Sequence, residues 1–313
     1  MSLINTIACG DCGPRLRWSG SGSGADPLSA AAAMLDAGGI VAVKGIGGYH
    51  LACRADDPAV VAELRRRKSR PAKPFAVMVA DHAAAQRIVD VSAAASEQLR
   101  SPAAPIVLCP GRDAVVQESA APGLRDIGVM LAYSPLHHLL FDRLGAVPLV
   151  MTSANRGGSP IVFREDDLDL LLGPAGVADG VLTHDRPIHV ACEDSVLGID
   201  ADGTSVPIRR SRGYAPLPVT VSGVRPGRTV LATGGDLKTT FALLGTDGRA
   251  HLSSHLGDMA DPRTQVCFEE ALAHLSAMTG HEPALLACDM HPGYATTRWA
   301  RRQHHEVRTV QHH

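Results

Sequence analysis

Residues 58–79, PAVVAELRRRKSRPAKPFAVMV, run a helix pattern, a cationic turn and a β-branched strand together without a gap. Pro58 falls in the first turn, where its missing N–H costs nothing, and Leu64 closes the apolar face. The cations that follow suit a helix C-terminus, where the dipole favours positive charge. Taken alone, such a run reads as a solvated helix end, and Arg65 to Arg67 fit that description. Pro71 and Pro74 change the reading of the rest, because they stiffen the backbone that carries Lys68, Arg70 and Lys73 and lower the entropy lost when those cations engage a ligand. Helix, fixed turn and buried strand in this order point to a layered α/β domain.

The same alternation extends to both sides. SAAAAMLDAGG (residues 29–39) has helix-forming composition from Ser29 to a double-glycine stop, and IVAVKG is a buried strand that ends in a glycine turn. PFAVMVA, APIVLC and VPLVMTS are strand runs, separated by the helical stretches DHAAAQRIVDVSAAASEQLR and PLHHLLFDRL. Their irregular spacing argues against a simple doubly wound sheet. Residues 205–229 are rich in proline and read as an extended connection between domains. Beyond it, FALLGTDGRAHL has the form of a hairpin, and a helix over FEEALAHLSAMTG and a strand ALLACD follow, with no closing element before the sequence ends. There is no internal repeat.

Composition bounds the function. The 313 residues carry a formal net charge of -2, with 20% charged and 4% aromatic side chains, so no whole-molecule field draws in a polyanion and phosphate chemistry must come from local clusters. No apolar run reaches the ~18 residues of a membrane span, and the first residues lack the regions of a signal peptide, which predicts a cytoplasmic protein. Cys53, Cys109, Cys192, Cys267 and Cys288 are scattered in apolar contexts and read as thiols rather than disulfides. Cys9 and Cys12 form the one spaced pair, half of a tetrahedral zinc site.

Three further stretches bear on chemistry. IRRSRGYAP holds Arg209, Arg210 and Arg212, whose guanidinium forks suit phosphate. MTSANRGG sets Ser153 and Asn155 at the end of a buried strand, before glycines that permit close backbone approach; a plain Ser or Asx turn is the alternative. GGDLKTTF, with Gly234, Asp236 and Lys238, is either a phosphate hairpin or a polar turn. KGIGGYH lacks the Walker spacing and is not a phosphate loop of that type.

In this order, VKGIGGYHLAC, LRRRKSRPAKPFAVM, SPLHHLLF, MTSAN, EDSV, RRSRGYAP, GGDLKTTF, SHLGD and CDMHPGY resemble the HypF-type carbamoyltransferases of hydrogenase maturation. The resemblance implies residues 1–22 as the remnant of a zinc-binding CxxC region, 23–222 as a YrdC-like carbamoyl-adenylate domain, and 223–313 as the first part of a transferase domain. The implied fold is α/β: a YrdC-like twisted mixed sheet with flanking helices, followed by an incomplete actin/sugar-kinase-type segment. The implied chemistry activates the carbamoyl group of carbamoyl phosphate with ATP and Mg2+, as carbamoyl adenylate, for transfer to the C-terminal cysteine of HypE. Carried over residue by residue, Lys44, Lys68, Arg70 and Lys73 would surround the triphosphate, Ser153, Asn155 and Ser195 would close the nucleotide pocket, and Arg210 and Arg212 would complete its cationic wall. Cys9 and Cys12 would be the last zinc pair, and His312 would open the family's metal motif. The sequence departs from the family pattern at Ala191, Glu193, Thr239 and Ser254.

A natural-product O-carbamoyltransferase is disfavoured because those proteins place the transferase domain first, and two readings outside the enzymes also compete. YrdC-like domains have been linked to double-stranded RNA, but the net charge of -2 and scarce aromatics count against an RNA-binding module. An inactive gene remnant with a poorly folding transferase stub is the other.

Overall fold

Aspartate or serine caps decide where the helices of the first half begin. Asp26, Asp57, Asp81, Ser92, Asp113 and Ser134 each accept a backbone amide of the following turn, and proline occupies the first turn after three of them. The computed structural model describes residues 13–21, 26–155, 159–173 and 176–311. These divide into two compact units, one holding residues up to 155 together with 161–191 and 196–208, the other holding 159–160, 192–195 and 209–311. Cys9, Cys12 and His312, the expected metal ligands, lie outside the described residues.

The first unit contains β1 (Leu16–Gly20), α1 (Pro27–Asp36), β2 (Val41–Lys44), β3 (Tyr49–Arg54), α2 (Pro58–Arg67), β4 (Ala76–Val79), α3 (His82–Ile88), α4 (Ala93–Leu99), β5 (Ile106–Pro110), α5 (Ala114–Ala120), β6 (Asp126–Leu131), α6 (Pro135–Leu144), β7 (Leu149–Ser153), a 3₁₀ turn (Glu165–Leu170), β8 (Gly180–His184), β9 (Val196–Ile199) and β10 (Ser205–Arg209). Among the described residues the strands form one sheet in the order β1-β8-β2-β3-β7-β4-β6-β5-β9-β10. Pairs β2/β8, β4/β6 and β5/β9 are parallel, and β2/β3, β3/β7, β4/β7 and β5/β6 are antiparallel, which makes a mixed sheet. Alternate residues enter different cores: Val77 and Val79 join one buried cluster while Met78 joins the other. Burial on both faces is why these strands read as unbroken apolar runs.

Several boundaries differ from the pattern reading. Helix α1 starts at Pro27, because Asp26 rather than Ser29 supplies the cap. The stretch after Asp81 is two helices: Val89 is extended and bridges to Gly111, which interrupts the helix hydrogen bonds. Residues 205–229 are not one extended connection, since β10 extends the large sheet and a further strand pairs within the second unit. Strands β3 and β8 escaped the sequence reading because a glycine turn and a charged flank mask their short runs.

The second unit holds that strand, β11 (Val219–Thr220), with β12 (Val230–Ala232), β13 (Ala242–Leu244), β14 (Arg249–Leu252), α7 (Pro262–Thr279), β15 (Leu285–Asp289), α8 (Ala295–Arg302) and β16 (Glu306–Val310). Its sheet order is β11-β14-β13-β12-β15-β16, and β13/β14 is the hairpin expected around GTDGRA. Phe268 is central to its core, meeting Phe241 and Trp299 edge to face at 5.1 and 4.9 Å. Gly234 is obligatory in the GGD turn: its φ is +71°, and a Cβ there would fall 2.1 Å from the carbonyl oxygen of Thr240. Among the described residues no helix is long and apolar enough to cross a membrane.

Candidate functional site

The first unit gathers its polar side chains where β2 and β7 end. Strand β3 carries the register between them, pairing Tyr49 with Lys44 on one side and His50 with Ser153 on the other. Helix α2 delivers Lys68 to the same edge as its C-cap residue.

Lys68 is only 1% exposed. Its ammonium donates to the carbonyls of Ser153 at 2.6 Å and Asn155 at 2.7 Å, and to Asn155 Oδ1 at 2.9 Å. Three acceptors for three N–H bonds satisfy a buried cation. Ser153 Oγ donates to the same Asn155 Oδ1 at 3.0 Å, so the SAN turn is knitted to the basic segment. Arg70 reaches Pro74 O at 2.7 Å and lies 5.0 Å from the centre of the Phe75 ring. Lys73 is exposed. The structure thus brings Lys68, Ser153 and Asn155 into one cluster, with Arg70 and Lys73 on the adjoining turn.

Lys44 belongs to a separate buried network. Its side chain is 0% exposed, its ammonium pairs with Glu165 of the 3₁₀ turn, and it donates to His184 O at 2.9 Å. Tyr49 OH lies 2.6 Å from Thr183 Oγ1 and 3.4 Å from Glu165 Oε1. Burial pushes the Tyr49 phenol up to about 12, so it stays a hydrogen-bond donor at neutral pH. Burial also pushes Glu165 upward, but the Lys44 ammonium outweighs it and holds the carboxyl below its usual value. Burial, then the nearby charges of Lys44 and Arg186, hold His184 below the ordinary imidazole value. In this arrangement the Lys44 ammonium is engaged by the Glu165 carboxylate and the His184 carbonyl. No spacing in the sequence links Lys44 to a glutamate 121 positions away, so Glu165 went unnoticed.

The first of the three arginines was also misread as solvated. Arg65 donates to Lys73 O at 2.8 Å, Ser119 O at 2.9 Å and Ala120 O at 3.0 Å, and lies 4.4 Å from the centre of the Phe75 ring. Arg66 fits the solvated reading, paired with Glu63 on the surface, while Arg67 bridges Glu63 and Asp179.

Ser195, Arg210 and Arg212 fall in the second unit and form their own network. Ser195 Oγ accepts from Ser211 N at 2.7 Å and donates to Arg212 O at 2.9 Å. The Arg212 guanidinium is neutralised by Asp194, with contacts of 2.8 and 3.0 Å to one oxygen. Arg210 donates to Tyr214 O and Leu217 O, both at 3.3 Å. Glu193 meets Arg209 at 2.7 Å and His255 at 3.4 Å; burial raises its carboxyl, and His255 and Arg209 together bring it below the usual value. In the same unit Asp236 accepts from the amides of Ala295 at 3.0 Å and Thr296 at 3.2 Å, and so caps α8 from the GGD turn. Among the described residues no three His, Cys, Asp or Glu side chains converge as a metal site.

The family model described as "Telomere recombination" (Sua5/YciO/YrdC) matches residues 33–211, and that of the HypF Kae1-like domain matches residues 225–313. The carbamoyltransferase HypF of Rhodobacter capsulatus is 45% identical over 297 residues, covering 93% of this chain and 39% of the relative. That of Rhizobium leguminosarum bv. viciae is 42% identical, covering 92% of this chain and 38% of the relative. A solved structure described as full-length HypF in the phosphate- and nucleotide-bound form superposes with a TM-score of 0.91 at 37% identity, over 98% of this chain and 40% of that one. The chain spans about two-fifths of the length of these relatives. It belongs to the Sua5/YciO/YrdC family and is homologous, along nearly all its length, to the HypF carbamoyltransferases.

Proposed function

We propose that the first unit binds ATP and forms carbamoyl adenylate, as one step of a carbamoyl transfer. The observation that carries this reading is the Lys68–Ser153–Asn155 cluster, with Arg70 and Lys73 on the turn beside it. It puts small polar groups and cations at the end of a strand in an α/β sheet, a setting suited to phosphates. The nucleotide-bound description of a close structural relative supports it.

In the proposed step a carbamate oxygen attacks the α-phosphorus in line. A new O–P bond forms, the bridge to the β-phosphate breaks, and pyrophosphate leaves with the bonding electrons. Charge accumulates on the α-phosphate oxygens and on the leaving pyrophosphate, where fixed cations stabilise it most. Arg70 and Lys73 are the cations assigned to that charge, while Lys68 fixes the turn on which Ser153 and Asn155 meet the nucleotide. No side chain need act as a covalent nucleophile. Mg2+ would come with the triphosphate as part of the substrate and would help to neutralise its charge.

Lys44 joins this chemistry if Glu165 yields it. Ser195, Arg210 and Arg212, expected around the nucleotide by family resemblance, fall in the second unit and carry no step of this proposal. Carbamoyl phosphate as donor, a protein acceptor with a C-terminal cysteine of the HypE kind, and zinc at Cys9 and Cys12 come into the proposal by family resemblance.

The test is ATP–pyrophosphate exchange by the 313-residue chain, with carbamate generated from carbamoyl phosphate by an added acylphosphatase. Exchange that depends on carbamoyl phosphate is the expected result. Its absence, with a full-length HypF relative active in the same assay, would overturn the assignment.

A further inference from the structure

We propose that Arg65 is the positioning residue for the nucleotide-facing turn, holding Arg70 and Lys73 in place without touching the ligand itself. The inference rests on the nucleotide reading of that turn. The basic run begins on α2 and stops before β4, so residues 71–75 must cross to the strand, while the amides of Lys68, Ser69 and Arg70 bond back to the carbonyls of Leu64, Arg66 and Arg65 at the helix end. Ser69 takes a left-handed φ of 52°, unusual for a residue with a Cβ, and the prolines at 71 and 74 remove two donors. A segment of this kind needs an outside anchor to hold one conformation.

Arg65 supplies it from three directions. Its Nη1 donates to Lys73 O at 2.8 Å and reaches Arg70 O at 3.5 Å, gripping the carbonyls of both candidate phosphate ligands. Its Nη2 donates to Ser119 O and Ala120 O at 2.9 and 3.0 Å, the terminal carbonyls of α5 that no helical amide can satisfy. The backbone repeats the link, since Phe75 N donates to Ala120 O at 2.8 Å. The guanidinium of Arg65 also lies over the Phe75 ring at 4.4 Å, and Arg70 lies over the same ring at 5.0 Å, so the aromatic side chain fixes the two arginines relative to each other.

This geometry depends on the planar five-donor fork. A lysine at 65 keeps the charge but cannot serve four carbonyls and stack on a ring together. Arg65→Lys therefore isolates positioning from charge. Ser119 and Lys73 lie far apart in sequence, which is why the role is invisible until the chain is folded.

The experiment pairs hydrogen exchange with ATP titration by calorimetry, both on the full 313-residue chain well below its unfolding temperature. Arg65→Lys and Arg65→Gln are compared with the parent and with Arg70→Ala/Lys73→Ala. The expected result is faster exchange of the amides in 69–76 without change in β3 or β7, and ATP binding weaker by about tenfold, the factor that follows from loss of roughly one charge-assisted hydrogen bond. Adding Arg65→Lys to Arg70→Ala/Lys73→Ala should then weaken binding little further, because the groups it positions are gone. Unchanged exchange in 69–76, unchanged affinity in both Arg65 variants, or a fully additive loss in the triple variant would overturn the proposal. A parent chain that binds no ATP would instead sink the nucleotide reading, a result told apart by its own titration.

Discussion

Lys68 holds Asn155 at two points, donating to its main-chain carbonyl at 2.7 Å and to its side-chain oxygen at 2.9 Å. The ammonium is thereby an internal strut, and its third contact, to Ser153 O, binds the end of β7 to the end of α2. A compact point charge with three rotatable donors suits three converging oxygens, whereas a planar guanidinium does not.

Lys68→Met is expected to strip these acceptors of their donor and to destabilise the first unit. A buried acceptor left without its partner costs about 1–3 kcal/mol. Urea unfolding followed by circular dichroism should show a lower midpoint at unchanged slope, and Lys68→Arg should restore little of it. Full recovery by arginine would mean that charge alone matters at this position.

Lys73→Ala is expected to weaken ATP binding far more than Arg66→Ala. Arg66 is an exposed partner of Glu63 on α2, and its loss leaves the 68–75 turn intact. Lys73 lies on that turn, exposed and held through its backbone by Arg65. Equal affinities of the two variants in a calorimetric titration would return the cationic run to a solvated helix end.

Cys53 and Cys109 are expected to resist alkylation in the folded chain. Burial pushes their thiols up to about 12 and about 11, so the reactive thiolate is scarce at pH 8, and both side chains are shielded from solvent. Mass mapping after brief iodoacetamide treatment should find both unmodified, and urea should expose them. Rapid labelling of Cys53 without denaturant would show that β3 opens readily.

The period of the apolar residues and the caps carried most of the fold. VAVK, AVMV, IVLCP and LVMTS became strands because both faces of the sheet are covered, and such strands need no polar alternation. Helix ends were less legible where the cap lay outside the apolar pattern, as Asp26 does for α1 and Asp261 for α7. The site was legible in part. Ser153 and Asn155 stood out as residue types at a strand end and Lys68 as a cation on a stiffened turn, but their mutual hydrogen bonds depend on β3 bringing distant segments into register. Arg65 and Glu165 were missed for the same reason: each acts on groups remote in sequence, and an arginine inside a basic run or a glutamate inside REDDLDL carries no local mark.

The Lys44–Glu165 pair sets an acid limit on the first unit. Lys44 pulls the Glu165 carboxyl below its usual 4.5 in the folded chain, against the upward push of burial. A carboxyl depressed by folding contributes stability that is fully present above its unfolded value, near 4.3, and is lost as pH falls through the lower folded value. Protonation then leaves the buried ammonium with the His184 carbonyl but without its counter-ion. Glu63 also titrates in acid, held at about 2 first by Arg66 and then by Arg67, so the informative quantity is the difference between two proteins rather than one curve. Glu165→Gln is expected to lower the thermal midpoint at pH 7 and to narrow its gap from the parent progressively below pH 4.5, because the substitution mimics the protonated carboxyl. Midpoints measured by calorimetry from pH 7 to about 3.5, a range that brackets the unfolded value, decide it. A gap that stayed constant across that range would mean that Glu165 does not titrate against Lys44.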